Sequence, residues 1–353
     1  MIPRFLRARR TWRAVAVLSS ALVLAGCTNS TSAVPHVTGI PSIGIAVPLH
    51  KVACTTSNSC IALGTTGSQL VPSSVGEYRR SNGSWSVLNV PEAPSSLITS
   101  TSCWKTGCLI GGIQPSGSLV WVYNASSQSV TVQDVPPTSQ GVRALDCFVA
   151  GACAAIVSTT STASSTGTTN NVSAISFTSD GGVTWSAPTP LPWTLGETVK
   201  SVSCTDALNC MVSAESGAGT LDLEVTHDAG LNWIARPTPP SWVSLSSLHC
   251  VKLTCVAIAN TTTSSFIVRS TTFARLWHAT ALGVKASALA CTSIGHCVIV
   301  GENATGQPWL ATLTNSSVVA SRLQYVPSAL VDVACGTTTC AAIGVSTLLA
   351  LHP

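Results

Sequence analysis

The segment SVSCTDALNCMVSA, residues 201–214, has two cysteines with five residues between them. Six comparable segments occur along the 353-residue chain, so that fourteen of its fifteen cysteines form seven close pairs. The first members of successive pairs lie 41 to 57 residues apart, which predicts a structural unit repeated seven times. The pairs are Cys54/Cys60, Cys103/Cys108, Cys147/Cys153, Cys204/Cys210, Cys250/Cys255, Cys291/Cys297 and Cys335/Cys340.

The residues around each pair predict a β-hairpin. The position two before the first cysteine is apolar in six of the seven repeats, and its neighbours are mostly Ala or Ser. This period of two is typical of a strand with one buried face. The second cysteine opens a continuous apolar run, such as CMVSA or CVIVG, which is typical of a strand buried on both faces. Each pair therefore brackets the turn between two antiparallel strands, where a disulfide can form.

Repeats of this length, with two further strands each, predict an all-β fold: a seven-bladed β-propeller of four-stranded antiparallel blades. The seventh repeat ends at TLLALHP and has no fourth strand of its own. We expect an N-terminal strand within GIPSIGIAVPL (39–49) to complete it and close the ring, which would remove an open sheet edge. The alternative is a six-bladed ring with a spare hairpin.

Two repeats contain a second motif, in VSAISFTSDGGVTWSAP (172–188) and LDLEVTHDAGLNWIARP (221–237). Both have a strand, a turn with Asp and Gly, and a strand that opens with Trp. The motif resembles the Asp-box of sialidase-type (BNR-repeat) propellers, and Ser81–Trp85 and Ser270–Trp277 are weaker copies. The resemblance implies turn-forming, structural roles for Asp180, Gly182, Trp185, Asp228, Gly230 and Trp233.

The cysteine-paired hairpin also resembles propellers of the photosystem II assembly-factor type. As a repeat pattern, the Asp-box resemblance extends over residues 49–353 and is strongest in the third and fourth repeats.

The N-terminus predicts export and lipidation. Five arginines within residues 1–13 precede the apolar run AVAVLSSALVLA (14–25), which is too short to span a bilayer. Leu24-Ala25-Gly26-Cys27 matches the bacterial lipobox. We therefore expect a lipoprotein signal peptide at 1–26, a diacylated (palmitate-type) Cys27, a Ser/Thr-rich tether at 27–38 and one propeller domain at 39–353. The protein would be anchored in the bacterial cell membrane, facing outside the cytoplasm; an ordinary secretory signal is the alternative.

Charge and compartment exclude several partners. Without the five arginines of residues 1–26, the chain has 12 basic and 13 acidic residues, which gives no support for nucleic-acid binding. Outside the cytoplasm, close cysteine pairs are typical of disulfides. The spacing within the pairs differs from that of zinc knuckles. We predict seven structural disulfides, no metal and no cofactor.

No catalytic constellation stands out. A sialidase needs an arginine triad, a tyrosine nucleophile and a general acid. The chain has three tyrosines, Tyr78, Tyr123 and Tyr325, and none is predicted at a strand start near the axis. Glu197 and Asp332 are the acids predicted nearest the channel mouth. The sequence therefore predicts a protein that is not an enzyme.

A binding surface is predicted on the face opposite the cysteine turns and Asp-boxes. His50, Arg143 and Lys200 lie four residues before their cysteines, near the channel mouth, and Trp193 and Trp242 lie in loops of that face. Such a basic and aromatic rim suits a sugar or an acidic group. We expect a monomeric, non-enzymatic binding or scaffold protein for a protein or glycan partner at the cell surface. The alternatives are a sialidase-like glycan hydrolase and an assembly factor for a membrane complex.

Overall fold

The structure is a computed structural model. It describes residues 36–38, 48–68, 71–81, 84–88, 91, 97–162, 169–193, 197–315, 317–321, 323, 326, 328–345 and 347–352. These residues form seven four-stranded antiparallel sheets. The predicted lipidation site Cys27 and the signal peptide 1–26 lie outside the described residues, as does Tyr325.

The first four sheets follow one another along the chain. Sheet 1 contains β2 (Leu49–Cys54), β3 (Cys60–Ser68), β4 (Val71–Ser81) and β5 (Ser84–Val87). Sheet 2 contains β6 (Leu97–Cys103), β7 (Gly107–Gln114), β8 (Gly117–Asn124) and β9 (Ser129–Gln133). Sheet 3 contains β10 (Ser139–Val149), β11 (Ala152–Thr162), β12 (Thr169–Thr178) and β13 (Thr189–Pro190). Sheet 4 contains β14 (Thr198–Cys204), β15 (Cys210–Glu215), β16 (Leu221–Thr226) and β17 (Ile234–Ala235).

Two more sheets have the same order, and the last recruits a strand from the start of the chain. Sheet 5 contains β18 (Ser244–Val251), β19 (Thr254–Asn260), β20 (Ser265–Ser270) and β21 (His278–Ala281). Sheet 6 contains β22 (Lys285–Ser293), β23 (His296–Glu302), β24 (Pro308–Thr314) and β25 (Ser317–Ser321). Sheet 7 contains β26 (Leu330–Cys335), β27 (Cys340–Gly344), β28 (Thr347–His352) and β1 (His36–Thr38).

The sheets are arranged as the blades of a β-propeller. The first strand of each sheet contacts the first strand of the next, and β26 of sheet 7 also contacts β2 of sheet 1. These seven first strands are called the inner strands. The second strands, which follow the second cysteines, are buried on both faces, as their continuous apolar runs predict: Ile61, Met211 and Ile258 have no exposed surface. The all-β prediction and the four-stranded blades are confirmed.

The N-terminal strand is displaced from the expected position. β1 pairs antiparallel with β28, with His36 opposite His352 and Thr38 opposite Ala350. The sequence analysis expects this strand within 39–49 and a tether at 27–38, whereas the strand that pairs with β28 is His36–Thr38. Residues 39–47 lie outside the described residues. A short outermost strand needs only backbone pairing along the open edge of β28, so that its position leaves no distinct side-chain pattern in the sequence.

All seven cysteine pairs are disulfide-bonded, as predicted. Each disulfide joins residues that lie opposite each other on the first two strands of a sheet, with Cα–Cα distances of 3.9 to 4.1 Å. Because each loop is only six or seven residues long, the chain-entropy model gives a contribution of about 2 kcal/mol per bond. In each blade a disulfide therefore joins the first two strands next to the axis.

The two cysteines of a pair differ in burial. The second member opens the strand that the sequence predicts to be buried on both faces, and it is at most 3% exposed in every blade. The first members lie on the inner strands, and those of sheets 2, 3, 6 and 7 are half-buried. The disulfides therefore belong to the packed core of each blade more than to its surface turn. The seven buried second cysteines are Cys60, Cys108, Cys153, Cys210, Cys255, Cys297 and Cys340, and the half-buried first cysteines are Cys103, Cys147, Cys291 and Cys335.

Serine side chains connect neighbouring blades along the inner strands. The amides of Leu145 and Cys147 in β10 donate to Ser100 Oγ and Ser102 Oγ of β6, both at 2.9 Å. Sheets 4 and 5 repeat this geometry at 3.0 Å, with Ser201 and Ser203 as acceptors for Leu248 and Cys250. An inner strand is the edge of its sheet, so that its unpaired amides need such acceptors. This explains the Ser-rich alternation before the first cysteine.

The two Asp-box segments form the same turn between third and fourth strands. Asp180 Oδ1 accepts from the Thr184 amide at 2.9 Å and from Thr178 Oγ1 at 2.8 Å, and Gly182 N donates to Thr178 Oγ1 at 2.9 Å. The hydrogen bonds from Thr184 and Thr178 lower the pKa of Asp180 to about 2. Thr226, Asp228, Gly230 and Asn232 repeat the pattern. These residues build the turns, as the sequence predicted.

The weaker copy at Ser270–Trp277 adopts the same turn with different residues. Ala274 N donates to Ser270 Oγ and Leu276 N donates to Thr272 Oγ1, both at 3.0 Å, so that Thr272 takes the place of the aspartate. Phe273 and Ala274 have φ angles of 51° and 64°, in the left-handed region that Gly181 and Gly182 occupy in the first box. The turn geometry therefore survives without aspartate or glycine.

The tryptophans that follow the boxes pack between blades, in agreement with the structural role predicted for Trp185 and Trp233. Trp185 Nε1 donates to the carbonyls of Gly182 and Asp134 at 3.1 and 3.2 Å. Trp233 and Trp277 are half-buried against neighbouring apolar clusters, and Trp85 is buried.

The Asp-box glycine Gly230 gives a test of blade packing. Its φ is +85°, and a Cβ there would lie 2.6 Å from Ile175 Cγ2 in sheet 3. We expect Gly230→Ala to lower the free energy of unfolding by about 1–3 kcal/mol, measured by denaturant titration of the oxidised protein. The control is Gly217→Ala, where a Cβ has no neighbour within 4 Å, with an expected change within about 0.5 kcal/mol. An equal decrease in the free energy of unfolding in Gly230→Ala and Gly217→Ala would contradict this packing role.

Candidate functional site: the central channel

A β-bulge recurs in the inner strands at the position four before the first cysteine. In six sheets one residue is left without a partner between two paired neighbours; for example, Val142 pairs with Val157 and Ala144 with Ile156, and Arg143 is extra. A bulge redirects the side chain that it carries. The six bulge residues are His50, Thr99, Arg143, Lys200, Ser287 and Val331.

The inner strands surround a central channel with a volume of about 410 Å³. Five of the six bulge residues line it, His50 being the exception. Most of the wall consists of Ser, Thr, Ala and Val, the small residues that a crowded axis requires. The charged and titratable side chains in the wall are Lys51, Arg143, Asp146, Lys200, His249 and Asp332. The channel is therefore the polar cavity on which a ligand would converge.

Two of the predicted basic residues lie side by side in this wall. Arg143 and Lys200 occupy the bulges of β10 and β14, which are neighbouring inner strands. Arg143 Nε donates to Ser158 Oγ of β11 at 2.8 Å, which holds the guanidinium in position while the residue stays exposed. Lys200 Nζ lies 2.8 Å from Glu215 Oε2. Because Glu215 offsets the charge of Lys200, Arg143 is the stronger anion-binding group of the two.

His50 lies outside the channel wall, although the sequence placed it at the mouth. Its neighbour Lys51 lines the channel instead. Partial burial and the charge of Lys51 lower the pKa of His50, so that the imidazole is neutral at pH 7. Sequence spacing located the bulge, but it did not show toward which side the first sheet turns this residue.

The two rim tryptophans are packing residues. Trp242 is only 5% exposed and lies edge-on to Trp277, with ring centroids 6.3 Å apart. Its amide donates to the Pro239 carbonyl at 3.0 Å, in a turn that folds the ring inward. Trp193 is half-buried against the apolar cluster between sheets 3 and 4. The predicted aromatic rim is therefore not formed by these residues, and a sugar-stacking role loses its support.

Two aspartates of the channel wall join neighbouring blades. Asp146 Oδ2 accepts the Cys204 amide at 2.6 Å, and Asp332 Oδ2 accepts the Val52 amide at 3.0 Å. Both occupy the axis-facing positions that serine holds in sheets 2 and 4. Asp332 was predicted from the sequence, but Asp146 was missed. The period-two alternation before Cys147 was the signal that could have identified it.

Enclosure by the ring raises the pKa of both carboxyl groups. Burial raises the pKa of Asp146 to about 6, against the opposing effect of hydrogen bonds from Cys204 and Ser203. Burial also raises the pKa of Asp332, with Lys51 and the amides of Val52 and Val333 acting in the other direction. His249, another channel residue that the sequence missed, has its pKa lowered by burial. The channel thus contains two structural carboxyls and one imidazole that is uncharged at neutral pH.

The other residues considered for sialidase chemistry lie elsewhere. Tyr123 is fully buried in β8 and exchanges a 2.9 Å hydrogen bond with Ser59 Oγ. Glu197 is half-buried just before β14 and does not line the channel. Tyr78 lies in β4, the third strand of sheet 1. No triad of the sialidase kind is assembled from the described residues.

Within the described ranges, no three residues of the His, Cys, Asp or Glu types come together as metal ligands. The same part of the chain has no helix that is both apolar and long enough to span a bilayer.

Comparison with solved structures returns β-propellers. YCF48 bound to D1 peptide is 15% identical, with a TM-score of 0.60 over 89% of this chain and 97% of that chain. YCF48 from Cyanidioschyzon merolae is 14% identical, with the same TM-score over 91% and 99%. The GH74 xyloglucanase from Xanthomonas campestris is 10% identical, also with a TM-score of 0.60, over 90% of this chain and 53% of that chain.

At these identities the similarity establishes the fold alone. No family model matches the sequence, and no curated protein matches it either. The chain is therefore a β-propeller of four-stranded antiparallel blades with a charged central channel.

The raised pKa of Asp146 predicts a pH dependence of stability. Because the pKa is near 6 in the folded protein and about 3.9 unfolded, this group stabilises the fold fully below about pH 4 and loses that contribution as the pH rises through 6. Asp146→Asn keeps an acceptor for the Cys204 amide and removes the charge. At pH 7.5 we expect the free energy of unfolding of the variant to exceed that of the wild type by about 1 kcal/mol, after allowing for screening by channel water. At pH 4 we expect no difference between the two.

Denaturant unfolding at several pH values measures this difference. Asp180→Asn is the control of opposite sign, because local hydrogen bonds lower the pKa of Asp180, so that removing its charge destabilises the protein at pH 7.5. If Asp146→Asn raises the free energy of unfolding by the same amount at pH 4 and at pH 7.5, the effect is unrelated to ionisation.

Proposed function

We propose that this propeller is a non-enzymatic binding protein that receives a carboxylate-bearing peptide segment of a partner protein at the channel mouth. The observation that carries the proposal is the placement of Arg143. A β-bulge redirects its side chain into the channel wall, Ser158 holds the guanidinium, and Lys200 lies in the neighbouring inner strand. A fixed guanidinium beside a second cation favours a carboxylate, which it can bind through two hydrogen bonds.

A peptide fits the site better than a glycan does. The expectation of a glycan depended on Trp193 and Trp242 as stacking surfaces, and both pack into the body of the protein. The remaining mouth is polar and basic. YCF48, which has the same fold at 15% identity, has been solved with a D1 peptide, so that peptide binding is compatible with this architecture.

The proposed setting is the outer side of a bacterial cell membrane. The lipobox at Leu24–Cys27 supports export and lipid anchoring through Cys27. The proposed molecule is a monomeric, seven-bladed ring in which β1 completes the last blade. A role in assembling a membrane complex would be one form of such peptide binding.

A sialidase-like hydrolase is the competing proposal, and the channel acids favour it less. Glycoside hydrolysis needs two carboxyls on either side of the scissile bond, roughly 5–10 Å apart. The two acids of the channel wall, Asp146 and Asp332, each accept a backbone amide of the next blade, and they belong to the non-adjacent sheets 3 and 7. Their hydrogen bonds support a structural role.

The test is binding of fluorescein-labelled heptapeptides that differ only in charge: one with two glutamates and a free C-terminal carboxylate, and one with two glutamines and an amidated C-terminus. We expect fluorescence anisotropy to show salt-sensitive binding of the acidic peptide alone. Arg143→Ala should weaken it about 10- to 100-fold, the usual effect of losing a charge-assisted hydrogen-bonded pair.

Arg275→Ala is the matched control, because Arg275 is an exposed arginine in a turn between third and fourth strands, away from the channel. Equal affinities of the two variants would contradict the site. Absence of binding for every acidic peptide would contradict the proposed ligand class.

A further inference from the structure

Exposed apolar side chains are concentrated on the face opposite the loops. This face, called the turn face, consists of the cysteine turns and the turns between third and fourth strands. In sheets 3 to 5, seven large apolar residues of these turns are 46–73% exposed, and Leu231 is the most exposed at 73%. They are called the apolar turn cluster: Val149, Val183, Leu208, Leu231, Val251, Leu253 and Leu276.

Backbone hydrogen bonds bring the two kinds of turn together within each blade. The amide of Gly181 donates to the Gly151 carbonyl at 2.8 Å in sheet 3. Ala229 and Leu208 form the same bond in sheet 4 at 3.1 Å, and Phe273 and Leu253 form it in sheet 5 at 2.9 Å. The exposed side chains therefore form a rim across three adjacent blades.

The side chains of the cluster make none of the hydrogen bonds that build these turns. The hydrogen bonds of the boxes are made by Thr, Asp, Asn and Gly, and those of the fourth cysteine turn by Asp206 and Asn209. Leu231 could be polar without loss of any of these bonds. Such clustered exposure marks a surface that meets an apolar partner.

The chain reaches the propeller on this same face. His36 lies opposite His352, and the adjacent Leu351 lies opposite Cys340, at the cysteine end of sheet 7. Residues 28–35, between the predicted lipidated Cys27 and β1, span at most about 28 Å when fully extended. The chain that leads from Cys27 therefore joins the propeller at its turn face, and a lipid on Cys27 would favour contact between this face and a bilayer.

The charges of the turn face balance. Its described turns contain Lys105, Lys252 and Arg275, and against them Asp180, Asp206 and Asp228. Hydrogen bonds lower the pKa values of all three aspartates, which keeps them ionised. Attraction to anionic lipids is therefore not the driving force, and contact must come from the apolar side chains.

We propose that the apolar turn cluster is a membrane-docking surface that inserts into the interfacial region of a lipid bilayer. Sheet 7 and sheets 3 to 5 lie on different sides of the ring, so that the anchor and the cluster give two separated attachments. The turn face then lies flat on the membrane, and the channel mouth with Arg143 points away from it. This inference goes beyond the proposed peptide binding and does not depend on it.

The test measures the affinity of the cluster without the lipid. Every described strand lies within residues 36–352, so that a chain beginning at Thr28 retains the whole fold. This chain is mixed with phosphatidylcholine vesicles, with and without 30% phosphatidylglycerol, and bound protein is measured by co-sedimentation. We expect saturable binding, with an affinity for vesicles that changes less than twofold when the anionic lipid is added. The double variant Leu231→Asp/Leu253→Asp should bind the vesicles with about tenfold lower affinity.

Val345→Asp is the matched control. Val345 is 49% exposed, but it follows β27 in the turn to the third strand of sheet 7, on the loop face. This variant should bind vesicles like wild type, and circular dichroism should show that all variants are folded. Absence of vesicle binding by the wild-type chain, or equal losses in both variants, would overturn the proposal. A dimer in sedimentation experiments that only Leu231→Asp/Leu253→Asp dissociates, without vesicle binding, would assign the cluster to a second copy and would also overturn it.

Discussion

The structure depends on satisfying the free edge of each inner strand. This strand is the edge of its sheet. The backbone amides on its free edge would be unpaired near the axis without acceptors from the neighbouring blade. Ser100, Ser102, Ser201 and Ser203 supply them, and Asp146 and Asp332 do so elsewhere. Because these acceptors must be short to fit around the axis, the lining of the channel is largely determined by the requirement for blade-to-blade contact.

The sequence predicted the repeat, the strands and the disulfides because each depends on residues close together in the chain. Cys204 and Cys210 lie on one hairpin, and the alternation before Cys204 indicates which side chains are buried. Pairing over the length of the chain leaves no such pattern, since β1 and β28 meet from the two ends of the described chain through backbone hydrogen bonds. This is why the closing strand was predicted within 39–49 instead of at His36–Thr38.

The candidate site was predicted in part, for a related reason. The position four before the cysteine identified Arg143 and Lys200, since the bulge recurs at a fixed distance from the disulfide. The same rule was wrong for His50, which lies outside the channel. Trp242 was misplaced because an aromatic residue after prolines is typical of both an exposed loop and a buried turn, and only packing against Trp277 decides between them. Asp146 was missed because its role depends on an amide of another blade.

The pairing of β1 with β28 has a consequence for biogenesis. If the chain is exported N-terminus first, His36–Thr38 leave the cytoplasm among the earliest residues, and their partner Thr347–His352 among the last. The outermost strand of sheet 7 therefore waits until translocation is complete. The hairpins in between need no such wait, because each cysteine pair is separated by only five or six positions and can oxidise as soon as it emerges. In that case local oxidation would limit wrong pairings among the fourteen thiols, and sheet 7 would be completed only when its last strand arrives.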